Sequence, residues 1–169
     1  LRQQLDSFQV EEILGFEPEG CGEHVFLFIE KRGLNTEQVA QQLARLSGLA
    51  LRQVSYSGMK DRNATTRQWF SVHLPGSAAP DFSALNGEQL TVLQQCRHLR
   101  KLRRGAHRGN QFTICLSEIE GDRAGCDQAL ARLSQQGFPN YFGEQRFGRG
   151  GQNLRSAQAL FAGTLKAKK

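Results

Sequence analysis

The sequence is poor in several features, and each shortage removes a class of protein. No apolar run approaches the roughly 20 residues that cross a bilayer. The first ten residues, Leu1 to Val10, carry charges and no apolar core of the kind a secretory signal needs. A cytoplasmic protein without a membrane partner is expected. Cysteine is limited to Cys21, Cys96, Cys115 and Cys126, with no Cys-x-x-Cys pair. That excludes the common zinc patterns. Cys115 and Cys126 fall at apolar-type positions, and reduced, buried thiols are the expectation. The four histidines (24, 73, 98 and 107) are scattered along the sequence and form no His-x-x-x-His pair, so no metal site is expected. There is no Gly-x-Ser-x-Gly elbow. Gly148-Arg149-Gly150-Gly151 lacks the Lys-Ser/Thr ending of a phosphate loop. The only methionine is Met59 and the chain opens on Leu1, so a fragment or a processed chain is expected.

Acidic residues are also missing from one long stretch. None occurs between Glu88 and Glu118, while Arg97, Arg100, Lys101, Arg103, Arg104 and Arg108 crowd into twelve residues with His98 and His107. The chain as a whole carries a net charge of +6. Six cations without a compensating acid favour an anion-binding face, with phosphate as the natural ligand.

What is present fits one globular domain. The chain has 169 residues, long enough to bury a core, and 38% hydrophobic with 22% charged residues is the balance of a folded protein. Residues 8–14 alternate as a strand. Residues 24–29, with Val25-Phe26-Leu27-Phe28-Ile29 at their centre, are apolar on both faces and read as a central strand. Together the first 30 residues suggest a β-hairpin entering the core. Asn35-Thr36 opens a helix whose stripe is Val39, Leu43 and Leu46, and Gly48 ends it. Strands follow at 52–57, 67–74 and 89–95, with a patternless polar loop from Pro75 to Asn86. A further strand at 109–116 places Phe112, Ile114 and Leu116 on one face. Asp122 opens a second helix with the stripe Cys126, Ala129, Leu130 and Leu133, which Gly137 stops. After an aromatic, glycine-rich loop at 138–148, a last helix at 153–162 turns Leu154, Ala157, Leu160 and Phe161 inward. Strands and helices mix without regular βαβ alternation. That predicts an α+β fold, a mainly antiparallel mixed sheet flanked by helices.

The stretch Gly58 to Gln68 stands out between two strands. It sets one carboxylate, Asp61, between Lys60 and Arg62, behind a glycine that eases a turn. Flanking positive charge favours the ionised carboxylate, which suits a nucleophile or a general base. By itself the triplet also fits an ordinary solvated turn.

Seven motifs occur together and in order. They are Phe8-x-Val10-x-Glu12; Gly22-Glu23-His24; Lys31-x-Gly33-x-Asn35-Thr36; Gly58-x-Lys60-Asp61-x-x-Ala64-x-Thr66-x-Gln68; Arg97-His98 with Lys101-Leu102-Arg103; Gly109-Asn110-x-Phe112; and Pro139-Asn140-Tyr141-Phe142-Gly143-x-Gln145-Arg146-Phe147-Gly148. In these the chain resembles the TruD family of tRNA pseudouridine synthases, from Leu1 to about residue 160. The resemblance implies a pseudouridine-synthase-like catalytic domain that isomerises uridine in tRNA, at position 13 in bacterial members, without cofactor or metal. It puts the nucleophile on Asp61. Phe8, Asn110 and Phe112 become substrate-binding residues, with Phe112 stacking on the uracil and Asn110 orienting the base or Asp61. Arg2 would pair with Asp61, with Lys60 in support. Arg97, Arg100, Lys101, Arg103, Arg104 and Arg108 would contact tRNA phosphates.

The sequence departs from the family at Leu5-Asp6-Ser7, where Pro-Glu-Asp is usual, and at Asn63, where histidine is common. Family members are also roughly twice as long and carry an inserted second domain after the Gln145–Gly148 region. Residues 1–169 therefore correspond to the N-terminal part of the catalytic domain, ending near the start of that insertion. A pocket aromatic from the later part is absent, so weak or no activity alone is expected. The family precedent for the full-length protein is a monomer. A non-catalytic RNA-binding module and an RNA chaperone retaining the fold are the competing functions.

Overall fold

The computed structural model describes residues 4–139, 141 and 143–165. The chain forms two compact units, Leu1–Ile119 and Glu120–Lys169. The first holds a mixed six-stranded sheet: β1 (Phe8–Ile13), β2 (His24–Arg32), β3 (Val54–Tyr56), β4 (Thr65–His73), β5 (Leu90–His98) and β6 (Gly109–Ile114). Its order is β5-β2-β4-β1-β6, with β3 also paired to β4. The β1–β4 pair is parallel and every other pair is antiparallel. This is the expected α+β architecture.

Helix α1 (Thr36–Leu46) connects β2 to β3. The side chain of Gln38 accepts from the Asn35 backbone N–H at 2.8 Å, tying down the helix entry. Val39, Ala40, Leu43 and Ala44 then face the sheet, where they are buried with Val25, Leu27, Ile29, Phe70 and Val72. The apolar run of β2 feeds both sides of the sheet. Its other face carries Phe26, packed with Trp69, Leu14 and Leu102.

Several expectations are corrected. The first 30 residues form no hairpin, because β4 lies between β1 and β2. A short apolar run does not name its partner, and here β1 finds β4 and β6 instead. The segment from Pro75 to Asn86 is more than a polar loop: a 3-10 turn at Phe82–Leu85 drives Phe82 fully into the core. Cys21 and Cys115 are exposed, Cys96 and Cys126 half-buried, and none is disulfide-bonded.

The second unit contains α2 (Arg123–Gln136) and α3 (Gln152–Phe161). Asp122 caps α2 by accepting from the N–H groups of Ala124 and Gly125, and Gly137, at a φ of 70°, ends it. The expected inward stripes are not buried. Leu130, Leu133, Leu154, Leu160 and Phe161 are all exposed, and no described residue of this unit is buried. Phe112 and Ile114 do share one face of β6, and they are exposed, as is Leu116 beyond the strand's end. Among the described residues no helix is long and apolar enough to cross a membrane.

Candidate active site

The site forms where β4 changes partners. Through Thr65, Thr66 and Arg67 it pairs with β1, and through Phe70, Ser71 and Val72 with β3. Between these ladders lie Gln68 and Trp69. The backbone N–H of Trp69 donates to Glu12 Oε1 at 3.2 Å, so a side chain completes what a strand would otherwise provide. The loop from Ser57 to Ala64 leaves the sheet at this junction and carries Asp61.

That loop is held by buried polar groups rather than by apolar packing. Thr36 Oγ1, in the first turn of α1, accepts from Lys60 N–H at 3.0 Å and donates to Gln68 Oε1 at 2.9 Å. The Gln68 amide donates to Gly58 O at 3.0 Å. Lys31 Nζ donates to the backbone carbonyl of Asp61 at 2.7 Å, and Arg62 Nε to that of Gly33 at 3.1 Å. Thr36, Gln68 and Lys31 are all fully buried. Buried polar side chains are tolerated when their bonds are made, and these bonds all converge on one short loop.

Gly58 serves a different purpose from the one its position suggests. Its φ is not positive, so no special turn is needed. A Cβ there would meet His107 Cε1 at 3.3 Å and Lys60 Nζ at 3.4 Å. The glycine leaves room for two side chains.

Lys60 turns away from its neighbour in sequence. Its Nζ lies 2.6 Å from Glu12 Oε2, with both side chains buried. His107 Nδ1 sits 4.0 Å from the same carboxylate oxygen and 2.5 Å from Ser57 Oγ. The Ser57 hydroxyl also accepts from the His107 backbone N–H at 2.9 Å. Asn110 Nδ2 is 3.4 Å from His107 Nε2, and Asn110 Oδ1 is buried without a hydrogen-bond partner. Burial pushes the Lys31 amine down to about 8. The nearby Asp61 carboxylate opposes that shift and Lys60 adds to it.

Five of the expected residues line one cavity. Phe8, Lys60, Asp61, Asn110 and Phe112 enclose a space of about 210 Å³ with Val10, Gly58, Met59 and His107. Strand register explains the gathering. Val10 of β1 stands opposite Phe112 of β6, and Glu12 opposite Asn110, so alternate residues of both strands share one face. The Phe8 and Phe112 rings lie 6.0 Å apart and are tilted by 39°. Phe112 is 56% exposed, which leaves its ring open to a ligand. Arg2 lies outside the described residues.

The cations of the basic run have separate surroundings. The Arg97 guanidinium is bound to the carbonyls of Gly22, Leu74 and Ser77. Arg104 lies over the Tyr56 ring at 4.0 Å. The Arg108 backbone N–H donates to Ile13 O. Arg100, Lys101 and Arg103 are exposed on the loop between β5 and β6. Three of the scattered histidines meet in the sheet, where His73, His24 and His98 are consecutive cross-strand partners. The fourth, His107, joins the site. Among the described residues no group of three or more metal-ligating side chains could hold an ion.

Sequence reasoning missed Glu12, Lys31, Thr36, Ser57, Gln68 and His107 as parts of this site. A signal existed for two of them. Glu12 follows Val10, and Lys31 follows Leu27 and Ile29, at the spacing of inward-facing strand positions. An ionisable residue in such a register needs a partner.

The chain is similar to several known proteins. A family model described as tRNA pseudouridine synthase D (TruD) matches residues 1–164. A tRNA pseudouridine synthase D of Ectopseudomonas mendocina (strain ymp) is 52% identical over 162 residues, covering 96% of this chain and 46% of the relative. One of Pseudomonas putida (strain W619) is 53% identical over 158 residues, covering 94% and 45%. Among solved structures, a Methanosarcina mazei protein assigned to TruD superposes with a TM-score of 0.76 at 28% identity. That match covers 97% of this chain and 38% of the other. The chain thus spans about half the length of the curated relatives it matches.

Proposed function

The chain belongs to the TruD family of tRNA pseudouridine synthases, and on that premise we propose that it carries the nucleophilic part of a site that isomerises uridine to pseudouridine in tRNA. Position 13 is the target that the family suggests. The observation that carries the reading is the cavity of about 210 Å³ in which a loop carboxylate, two aromatic rings and an asparagine converge. Each answers a need of the chemistry. A uridine withdrawn from its stack needs flat apolar surfaces, which Phe8 and Phe112 offer. Its ring N3–H needs an acceptor, and Asn110 Oδ1 is a buried one without a partner. The reaction needs a nucleophile, and Asp61 sits on a loop held by four hydrogen bonds, to Lys31, Thr36, Gly33 and Gln68.

The carboxylate of Asp61 adds either to the base or to ribose C1′, and the N1–C1′ bond breaks. The uracil turns and rejoins C1′ through C5, releasing Asp61. C5 gives up its hydrogen as a proton and N1 gains one, so nothing is consumed. Lys31, held on the carbonyl of Asp61, acts as a positioning residue. Lys60 and Glu12 position the loop by pairing beneath it. The exposed cations Arg100, Lys101, Arg103, Arg104 and Arg108 attract tRNA phosphates. Residues 1–169 represent the N-terminal part of the catalytic domain, and the full-length protein acts as a cytoplasmic monomer.

Tritium release from tRNA labelled at C5 of uridine tests the chemistry by either route. The assay uses this chain, its Asp61→Asn variant, and each supplemented with the C-terminal half of a family member. Release that requires Asp61 in either form supports the reading. Release by the variant removes Asp61 from its role. RNA binding without release even in the supplemented form favours a non-catalytic module. Strand annealing that survives Asp61→Asn favours a chaperone.

A further inference from the structure

A second cavity of the first unit lies apart from the catalytic pocket. It is a groove of about 570 Å³ between α1, β3 and the basic loop. Leu51, Val54 and Tyr56 give it apolar walls, and Lys101, Arg103 and Arg104 form a cationic rim. The Arg104 guanidinium already lies over Tyr56, with Cζ 4.0 Å from the ring centre. Glu37 is the one acid among the lining residues.

The groove and the catalytic pocket share no lining residue, but they are lined from neighbouring positions of one chain segment. Tyr56 lines the groove and Gly58 lines the pocket. Two residues of chain span at most about 7 Å. The loop that rims the groove is pinned to the residue between them, where Gly105 N–H donates to Ser57 O at 2.8 Å and His107 N–H to Ser57 Oγ at 2.9 Å. A ligand occupying both sites therefore crosses Ser57 with cations beside it.

We propose that this groove binds the base of an unpaired nucleotide flanking the target uridine, with Lys101 and Arg103 on its phosphates. The proposal rests on RNA being the substrate of the adjoining pocket, and it adds a second nucleotide subsite. The chemistry matches part by part. A base presents a flat apolar face, which suits the Leu51, Val54 and Tyr56 walls and a guanidinium plane. Its two flanking phosphates are anionic, and three cations stand at the rim against a single acid. Arg104 lies over the Tyr56 ring and lines the groove, so its guanidinium is held where a base would enter.

The test is equilibrium binding by fluorescence anisotropy at low salt, which requires no turnover. The probes are a labelled single-stranded dodecaribonucleotide with one central uridine and the same strand with abasic riboses on both sides of that uridine. The abasic strand keeps every phosphate and loses only the flanking bases. The proteins are the wild-type chain and Gln41→Trp, which places a bulky ring in the groove from an exposed position on α1. For the wild type, removal of the flanking bases should weaken binding roughly tenfold. For Gln41→Trp the two strands should bind within about twofold of each other. Arg103→Ala should lower the salt slope of log K by about one while preserving the preference for the intact strand.

Equal binding of both strands by the wild type would overturn the proposal, as would an undiminished preference in Gln41→Trp or no RNA binding at all. Tighter binding of an acidic dodecapeptide than of the intact strand would overturn it in favour of a protein partner. Failure of the groove and failure of the chemistry are separable, because tritium release reports only the second.

Discussion

The two ends of the central sheet are filled by opposite means. Toward α1, the sheet is closed by Val25, Leu27, Val39, Leu43, Phe70 and Val72, an apolar core in which position matters only through shape. Where β1 and β4 run parallel, the same layer holds Lys31, Thr36, Thr66, Gln68 and the Glu12–Lys60 pair. One cross-strand row shows the change. From β5 to β6 it runs Leu90, Lys31, Thr66, Val10 and Phe112, apolar at the buried end, polar in the middle and open at the exposed aromatic. A hydrophobic core stabilises without direction. A polar one fixes atoms in place at a cost in stability, and it occurs beneath the loop that carries Asp61.

The largest effects should come from breaking the polar end one partner at a time. Lys60→Met leaves the Glu12 carboxylate buried without its cation, and should cost about 3–5 kcal/mol. Leu27→Ala at the apolar end should cost a similar 2–5 kcal/mol by opening a cavity. Urea denaturation measures both. The two ends part company in the double variant Glu12→Gln/Lys60→Met. It should regain most of the stability lost by Lys60→Met, because no unpaired charge remains, while any tritium release stays impaired. Recovery of both together would mean that the pair serves folding alone. A smaller effect is expected for Thr36→Val. It removes one hydroxyl that serves both Lys60 N–H and Gln68 Oε1. The expected loss is about 1–3 kcal/mol.

The same contrast separates what was legible in the sequence from what was not. Apolar periodicity placed each strand of the sheet and α1 to within a few residues, because burial of that kind is written locally. The resemblance placed Asp61, Phe8, Asn110 and Phe112, and these do converge on one cavity. The hand-over of β4 from β3 to β1 could not be read, since partner choice depends on residues far apart in the chain. Lys31 illustrates the limit. Its spacing from Leu27 and Ile29 marks it as inward-facing, but only the structure shows what it meets there, the carbonyl of Asp61, while Arg32 beside it pairs with Asp6 at the surface. The second unit erred in the other direction. Its helices were expected to bury their stripes, yet periodicity reports that a face is apolar and not what covers it.

Lys31 also yields a test at alkaline pH. Its amine is held down to about 8 in the folded chain, against the ordinary 10.5 when unfolded. Between these values the unfolded chain binds more protons, so raising the pH favours folding there. Below about pH 8 both states are charged and the full cost of burying the cation is present. The stability of the wild type relative to Lys31→Met should therefore rise from pH 8 to pH 10.5. A difference that stays flat across that window would mean that Lys31 is ordinarily solvated.

The smallest effect should come from the histidine row, at the end of the sheet that is otherwise apolar. The His24 and His73 rings stack with centres 4.6 Å apart, and His98 is the next partner across the sheet. Glu23 lies 3.5 Å from His73, and Glu19 lies 3.3 Å from His98. Burial holds His24 below its ordinary value. His73, Lys101 and His98 add to that, and Glu23 opposes it. Folding therefore favours the neutral ring. Its contribution is fully present above the unfolded value of about 6.5 and is lost as the pH falls through that value toward the lower folded one. The melting temperature should decline from pH 7 to pH 5. His24→Gln can keep a hydrogen bond to Ser71 Oγ, now 3.3 Å from the ring nitrogen, and should flatten that decline without lowering the value at pH 7. If His24→Gln melts with the same acid dependence as the wild type, the row is inert, and the groups that titrate on acid unfolding lie elsewhere.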